Sequence, residues 1–337
     1  MAINKSIIIK LFLLSLIAVG VFFIWSFKFA SHYPEAIDLR SPADFWGVTF
    51  SKRYSTFLGL SWKETYTAII NDLGIKRIRL PLYWTDLEPK LGQYDFSDYD
   101  WMIDQAHQNN VIIIPVLGRR QPRWPECHTP SWAQELKEEQ QQQKILSLIK
   151  KTIERYKTYD NIEAWQVENE ALLNSFGICP DADPNFLAKE IALVRDLDTR
   201  PIIITGSGEL SNWKQESKLG DYFGTTLYRV VWNKYVGYLR YGLSTNYYQS
   251  KARKANLSLD RAIIAELQTE PWSPGDIKNL SVKDADKSFS LDQFKANLQF
   301  AINTKFKHTY LWGVEWWYYK KLNGQPEYWN LAKSLKW

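Results

Sequence analysis

Two glutamates close short apolar runs in this chain: Glu170 in WQVENE and Glu266 in IIAELQTEPW. Two carboxyl groups facing each other across a bond, one protonated and one ionised, are what cleavage of a glycoside requires. The protonated group needs a pKa raised by burial or by a nearby negative charge, and it donates to the departing oxygen. The ionised group attacks the anomeric carbon. Glu270 competes with Glu266, but it precedes Pro271 beyond the apolar run, where a side chain is held less rigidly. Glu266 is therefore the expected nucleophile, and Glu270 a substrate contact or surface residue. An arginine beside the nucleophile would keep it charged and a tyrosine hydroxyl would orient it; Arg79, in IRLP, and Tyr228 are placed for those roles. Two cysteines and four scattered histidines offer no zinc spacing, and no metal or organic cofactor is implied. His128 is a lone loop histidine that could touch a sugar hydroxyl.

The side chains need a frame that brings them together. Short β-branched runs are read as strands at Trp46–Phe50, Lys76–Leu80, Val111–Val116, Ile162–Val167, Pro201–Thr205, Tyr222–Tyr228, Ala262–Leu267 and Thr309–Val314. Helical stretches lie between them at Glu64–Leu73, Tyr99–Gln108, Ser131–Tyr156, Phe186–Leu197 and Leu291–Asn303, with a tyrosine-rich helical region over Trp232–Ala255. Continuous apolar runs such as VIIIPV suit strands covered on both faces. This alternation predicts a closed parallel (β/α)8 TIM barrel over 45–337. A doubly wound sheet would want a glycine-rich phosphate turn after the first strand, and VTFSKRYSTF has none. No internal repeat or low-complexity linker divides the body.

In such a barrel chemistry gathers at the carboxyl ends of the strands. An Asn-Glu dipeptide is common by chance, so the weight on Glu170 comes from its place at the end of the fourth strand. The seventh strand puts Glu266 at the rim, the second carries Arg79 near its end, the sixth ends at Tyr228, and the eighth brings Trp312, Glu315, Trp316 and Trp317; Glu315 is left unassigned. Strands four and seven lie almost opposite each other, so the two glutamates could approach the roughly 5 Å spacing of a retaining pair.

With these residues at the strand ends, the chain resembles the clan A retaining glycoside hydrolases, the cellulase-like (β/α)8 barrel enzymes. Asn169-Glu170 matches that group's Asn-Glu pair on strand four, Ile264-Ala265-Glu266 its glutamate on strand seven, and Arg79 its arginine on strand two. The resemblance implies Glu170 as acid/base, Glu266 as nucleophile, and Asn169 hydrogen-bonded to the 2-hydroxyl of a β-linked oligo- or polysaccharide. It also implies a tryptophan, Trp312 or Trp316, as a floor for the sugar. The stretch LQTEPW after Glu266 differs from the endings of the best-known cellulase and mannanase families, so no single family is assigned. Two alternatives remain open: a transglycosylase on the same site, and a catalytically silent carbohydrate-binding barrel displayed on a membrane. An unrelated barrel enzyme would bring a Schiff-base lysine, a metal cluster or a phosphate loop, and none is placed.

Sixteen Trp, 19 Tyr and 16 Phe make 15% of the 337 residues aromatic, enough for both a core rich in rings and flat platforms under sugars. The net charge of +5 is mild, and no stripe of Lys and Arg is present. Lys251, Arg253 and Lys254 read as one solvated helix face, so no nucleic-acid partner is expected. A monomer is expected.

Ile7–Phe27 is almost wholly apolar, with Lys10 and Ser15 inside it. As a helix it would span roughly 30 Å, the thickness of a bilayer's hydrocarbon core. Lys5, Lys10 and the terminal amine precede or open the run and favour a cytoplasmic N-terminus. The rival, a cleaved signal peptide, has its only candidate site after Ala30, with Lys28 where a small residue is wanted. The expectation is therefore an uncleaved transmembrane anchor over 1–30, a linker over 31–44 and an extracytoplasmic barrel. In that compartment Cys127 and Cys179, in neighbouring rim loops, would form a disulfide closing about 50 residues, worth roughly 3–4 kcal/mol in the chain-entropy model.

Overall fold

The computed structural model describes residues 37–42 and 44–337. The anchor expected over 1–30 and the first part of the linker lie outside the described residues. Among the described residues no helix is long and apolar enough to cross a membrane.

Eight parallel strands close into a barrel. The first six follow one another around the ring: β1 (Trp46–Thr49), β2 (Arg77–Pro81), β3 (Ile112–Leu117), β4 (Trp165–Val167), β5 (Ile202–Gly206) and β6 (Tyr222–Leu227). A separate antiparallel hairpin of β7 (Val230–Asn233) and β8 (Gly237–Arg240) follows. Then β9 (Ala262–Gln268) and β10 (Thr309–Trp312) complete the ring, β10 lying beside β1. The long helices are α1 (Trp62–Asn71), α2 (Ser97–Gln108), α3 (Glu138–Tyr156), α4 (Pro184–Leu197), α5 (Thr245–Lys254), α6 (Leu291–Thr304), α7 (Val314–Leu322) and α8 (Glu327–Lys333).

Nearly every barrel-strand residue is buried because a parallel sheet carries helices outside and side chains inside. Two cores result. A large one packs strands against helices, and a small one fills the lumen with Ile114, Ala164, Ile203, Ile263 and Tyr310. Gly47 makes room for that filling: a Cβ there would lie 2.8 Å from the Tyr310 ring and 3.0 Å from the Cβ of Arg77.

The fold departs from the expected pattern in four places. Ser131–Tyr156 is not one helix. A turn at Ser131–Gln134 docks separately, its Trp132 indole N–H donating to the Glu88 carbonyl at 2.8 Å, and α3 starts afresh at Glu138. The tyrosine-rich region begins as the β7–β8 hairpin; Val230, Val231, Tyr238 and Leu239 suit strands, and Gly237 takes the left-handed φ of 76° that the turn requires. No full helix follows β5, only a single turn at Glu216–Lys218. Fully buried Trp213 covers the exposed side instead, its ring against Phe223, Tyr248 and Phe306. Finally, β10 ends at Trp312, so Glu315, Trp316 and Trp317 belong to α7.

The basic trio is also divided. Arg253 and Lys254 are exposed, but Lys251 is buried and donates to the Gly208 carbonyl while its ammonium lies 4.7 Å from the Trp213 ring. Its long aliphatic stem follows the apolar side of α5 inward.

Candidate active site

The end of β4 is where local backbone geometry first departs from an ordinary strand. Glu168 (φ 55°) and Glu170 (φ 49°) both adopt left-handed conformations on either side of Asn169. Such conformations are costly for non-glycine residues and persist only where the surroundings hold them. Here they do: the Glu168 carboxylate accepts from the backbone N–H groups of Arg119 and Arg120, and the Glu170 N–H donates to Thr205 Oγ1 at 2.8 Å. Gly118 is required beside Glu168, since a Cβ would fall 2.3 Å from the carboxylate. The zigzag sends Glu168 out of the mouth and leaves Asn169 and Glu170 in it.

The end of β9 uses a different device. Its register against β6 runs Thr225↔Ile264 and then Thr226↔Glu266, and against β10 it runs Thr309↔Ile264 and then Leu311↔Leu267. One extra residue on β9 is thus accommodated by a bulge facing both neighbours. Side chains alternate along a strand, and Ile263 points into the lumen, so regular geometry would turn Glu266 outward. The bulge reverses that parity and aims Glu266 inward, a role bulges commonly take beside active sites.

Arg79, 1% exposed, joins the two ends. Its guanidinium donates to Glu266 Oε1 at 3.0 Å, Asn169 Oδ1 at 2.6 Å and Gln166 Oε1 at 2.7 Å. The Tyr228 hydroxyl donates to the other Glu266 oxygen at 2.9 Å. Thr226, the register partner of Glu266, donates to Glu170 Oε1 at 3.3 Å. The five residues expected to act together, Arg79, Asn169, Glu170, Tyr228 and Glu266, are therefore one connected group. Burial first and the charge of Glu266 second push the Glu170 carboxyl up to about 8. Glu170 is thus protonated at neutral pH beside a carboxylate gripped by a guanidinium and a phenol.

The tryptophans are placed otherwise. Trp316, 1% exposed, packs against Phe289 and Tyr328 in the outer core because α7 turns it away from the mouth. It is no sugar platform. Trp312 is at the mouth, but Arg123 covers one of its faces, the guanidinium carbon lying 4.0 Å from the Trp312 ring and 3.6 Å from the Tyr54 ring. That cation is also paired with Glu270 and Glu315. Glu270 is consequently not a surface residue; it and Glu315 are buried counter-charges of Arg123, apart from the Arg79, Asn169 and Tyr228 group that holds Glu266. His128 is buried against the Tyr83 ring and bonded to the Arg123 carbonyl, which removes it from sugar contact.

Several site residues had no signal in the sequence. Glu126, 5% exposed, accepts from Asn169 Nδ2 at 3.3 Å. Burial first, then the charge of Glu266, hold its carboxyl well above the usual range. Glu209 accepts from the Tyr228 N–H at 3.2 Å and the Tyr248 hydroxyl at 2.8 Å, and burial pushes it up to about 7. Rings step outward from Tyr228 to Trp272, Phe176 and the exposed Trp124, with centroids 5.2, 5.9 and 5.9 Å apart. Cys127 and Cys179 are bonded as expected, joining the loops after β3 and β4 that carry Trp124, Glu126 and Phe176. Among the described residues no group of His, Cys, Asp and Glu could hold a metal ion.

A model of glycosyl hydrolase family 10 matches residues 81–179, a stretch holding β3, β4, both cysteines and Glu170 but ending before Glu266. No curated protein matches the chain. Among solved structures, an endoxylanase of family 10 from a sugarcane soil metagenome superimposes with a TM-score of 0.56 at 17% identity, covering 86% of this chain and 97% of that one. Xylanase 10B from Thermotoga petrophila RKU-1, solved with xylobiose, gives 0.52 at 16% identity, covering 82% and 83%. A β-glucosidase from Exiguobacterium marinum gives 0.50 at 12% identity, covering 81% and 90%. At these identities the likeness is one of fold. With the matched segment, it bears out the resemblance to the clan A retaining glycoside hydrolases and the enzyme class, a glycosidase.

Proposed function

We propose that this chain cleaves β-linked glycosides by double displacement. Glu170 protonates the departing oxygen as Glu266 attacks the anomeric carbon, forming a glycosyl ester on Glu266 and releasing the aglycone. Glu170, now ionised, takes a proton from water, and the hydroxide equivalent displaces Glu266 with overall retention. The observation that carries this reading is the asymmetry of the two glutamates. Glu170 is held protonated by burial and by its negative neighbour, whereas Glu266 receives two donors, from Arg79 and Tyr228. Arg79 also holds Asn169, whose amide would donate to the 2-hydroxyl of the reacting sugar.

The xylanases among the similar structures make β-xylosides and xylan the first substrates to try, followed by β-glucosides and β-mannosides. The disulfide supports an oxidising, extracytoplasmic setting for the barrel, in keeping with the anchor expected from Ile7–Phe27. The test is a panel of aryl β-glycosides and polysaccharides assayed with and without a sugar acceptor, with product stereochemistry followed by NMR. Trapping with an activated 2-deoxy-2-fluoro glycoside and peptide mapping should place the label on Glu266. Inverted product, or a label on Glu270, overturns the mechanism; transfer to the acceptor in preference to water makes the enzyme a transglycosylase.

A further inference from the structure

A third carboxyl group faces the catalytic pair, and the double-displacement mechanism does not use it. Glu126 lies in the loop after β3, 5% exposed, its carboxyl close enough to feel the charges of both Glu266 and Glu170. The loop is built to hold it there. Its backbone is left-handed (φ 71°), fixed by its N–H donating to the Arg123 carbonyl and its carbonyl accepting from the Gln121 N–H, each at 2.8 Å. Gly177 of the facing loop leaves it room, since a Cβ there would lie 2.8 Å from both Cβ and Cγ of Glu126. The next residue, Cys127, is bonded to Cys179 of that same loop.

Asn169 connects this carboxyl to the chemistry. Its Oδ1 takes the Arg79 guanidinium at 2.6 Å, which forces Nδ2 toward Glu126 Oε2. One N–H of that amide is then committed to Glu126 and the other is left for a ligand. Among the described residues no other hydrogen-bond donor reaches the Glu126 carboxyl. Oε1 is therefore left without a protein donor beside the catalytic pair.

We propose that Glu126 is a specificity-determining residue that, together with Asn169, reads the substituent at C2 of the reacting sugar and selects glycosides with a free C2 hydroxyl. The proposal rests on the glycosidase reading above. Burial and the charge of Glu266 raise the Glu126 carboxyl, and in its acid form Oε2 accepts from Asn169 while the Oε1 hydroxyl donates to the sugar's O2. Asn169 supplies a second donor to the same oxygen. A sugar lacking O2 leaves both donors unmet, and a site built to bond a hydroxyl rejects the analogue without it.

The test compares wild type with Glu126→Ala and Glu126→Gln on an aryl β-glycoside and its 2-deoxy counterpart. Glu126→Ala should lower kcat/KM on the hydroxylated substrate by about 10- to 100-fold and on the 2-deoxy substrate by less than about 3-fold. Glu126→Gln presents the same acceptor and donor as the protonated acid, so it should stay within about 5-fold of wild type on both. An equal loss on both substrates, or no loss from Glu126→Ala, overturns the proposal while leaving hydrolysis standing. If wild type turns over no glycoside, the glycosidase reading falls, and calorimetry takes over as the readout. Two iminosugars differing only in the hydroxyl equivalent to O2 should then bind wild type unequally and Glu126→Ala equally. Equal binding to wild type, or none, overturns the assignment of Glu126.

Discussion

Strand β2 carries two lumen arginines two residues apart, and each pairs with a glutamate from another strand region, yet the two pairs are built differently. Arg77 forks onto Glu163, whose side chain is 37% exposed. Arg79 pairs with Glu266, 4% exposed, and also donates to Gln166, Asn169, Thr49 and the Ala265 carbonyl. A pair with one end in water adjusts by moving a side chain, so it stabilises and orients little. A cation whose acceptors come from β1, β4, β9 and the end of β4 cannot shift without breaking several bonds, so it fixes the relative positions of its partners. At one end of the lumen the arginine holds a partner that reaches solvent; at the other it sets a geometry.

Charge-removing substitutions should break this symmetry most visibly. Glu266→Gln and Glu170→Gln should each lower kcat on a poorly activated glycoside by about 10⁴-fold or more, the scale of losing a nucleophile or a general acid in a group that acts as a unit. Glu163→Gln, at the other pair, should leave kcat within about 3-fold; a large loss there would mean that the two arginines are coupled through β2. Steady-state rates on one aryl glycoside compare all three.

Arg79→Met and Arg77→Met sharpen the contrast on isosteric grounds. The first should cost about 10²- to 10³-fold in kcat, the scale of a lost preorganised donor. The second should spare kcat and lower stability by about 1–2 kcal/mol, a modest figure because Glu163 reaches solvent. Denaturant unfolding read beside kinetics separates the two. Equal kinetic losses would refute a division of labour.

Acid and alkali should act on opposite ends of the lumen. Glu170 must be protonated to donate, so kcat/KM should fall as pH rises through about 8. Glu163 works the other way. Burial opposes it, but Arg77 holds it below its usual range, so its contribution to stability is present above the unfolded carboxylate pKa of about 4.3 and lost as pH falls through the lower folded value. The alkaline limb of activity should therefore persist in Arg77→Met, while that variant loses part of the acid-induced drop in melting temperature. An activity limb near pH 5 in place of pH 8 would show that Glu170 is not the buried acid.

The smallest effect expected is from Thr49→Val, which removes only a 3.4 Å contact to Arg79. If the guanidinium is held by many acceptors, kcat should change less than about 3-fold. A loss approaching that of Arg79→Met would show that one contact governs its position.

Much of the frame was legible because it is local. Runs such as KRIRL and VIIIPV declare buried strands by composition, and all eight barrel strands lie within a few residues of their expected bounds. The misreadings have equally local causes. The tyrosines of Trp232–Ala255 suit either a helix or a strand, and only the pairing of Val230↔Arg240 through Asn233↔Gly237 decides between them. Trp316 and Trp312 both lie near a strand end, but a difference of two residues in where β10 stops turns Trp316 into the outer core.

The sequence by itself determined the order of strands and helices, the two glutamates that end the fourth and seventh strands, and the cysteines that could meet. These follow from hydrophobic periodicity and from spacing along one chain. Tertiary structure alone decided which way Glu266 faces, because a bulge is a mismatch of register between β9 and both neighbours and no single strand encodes it. It likewise decided that Arg123 would cover Trp312 and that Glu126 would join the catalytic pair. Those contacts join residues far apart in the chain, and they exist only once the barrel has closed around them.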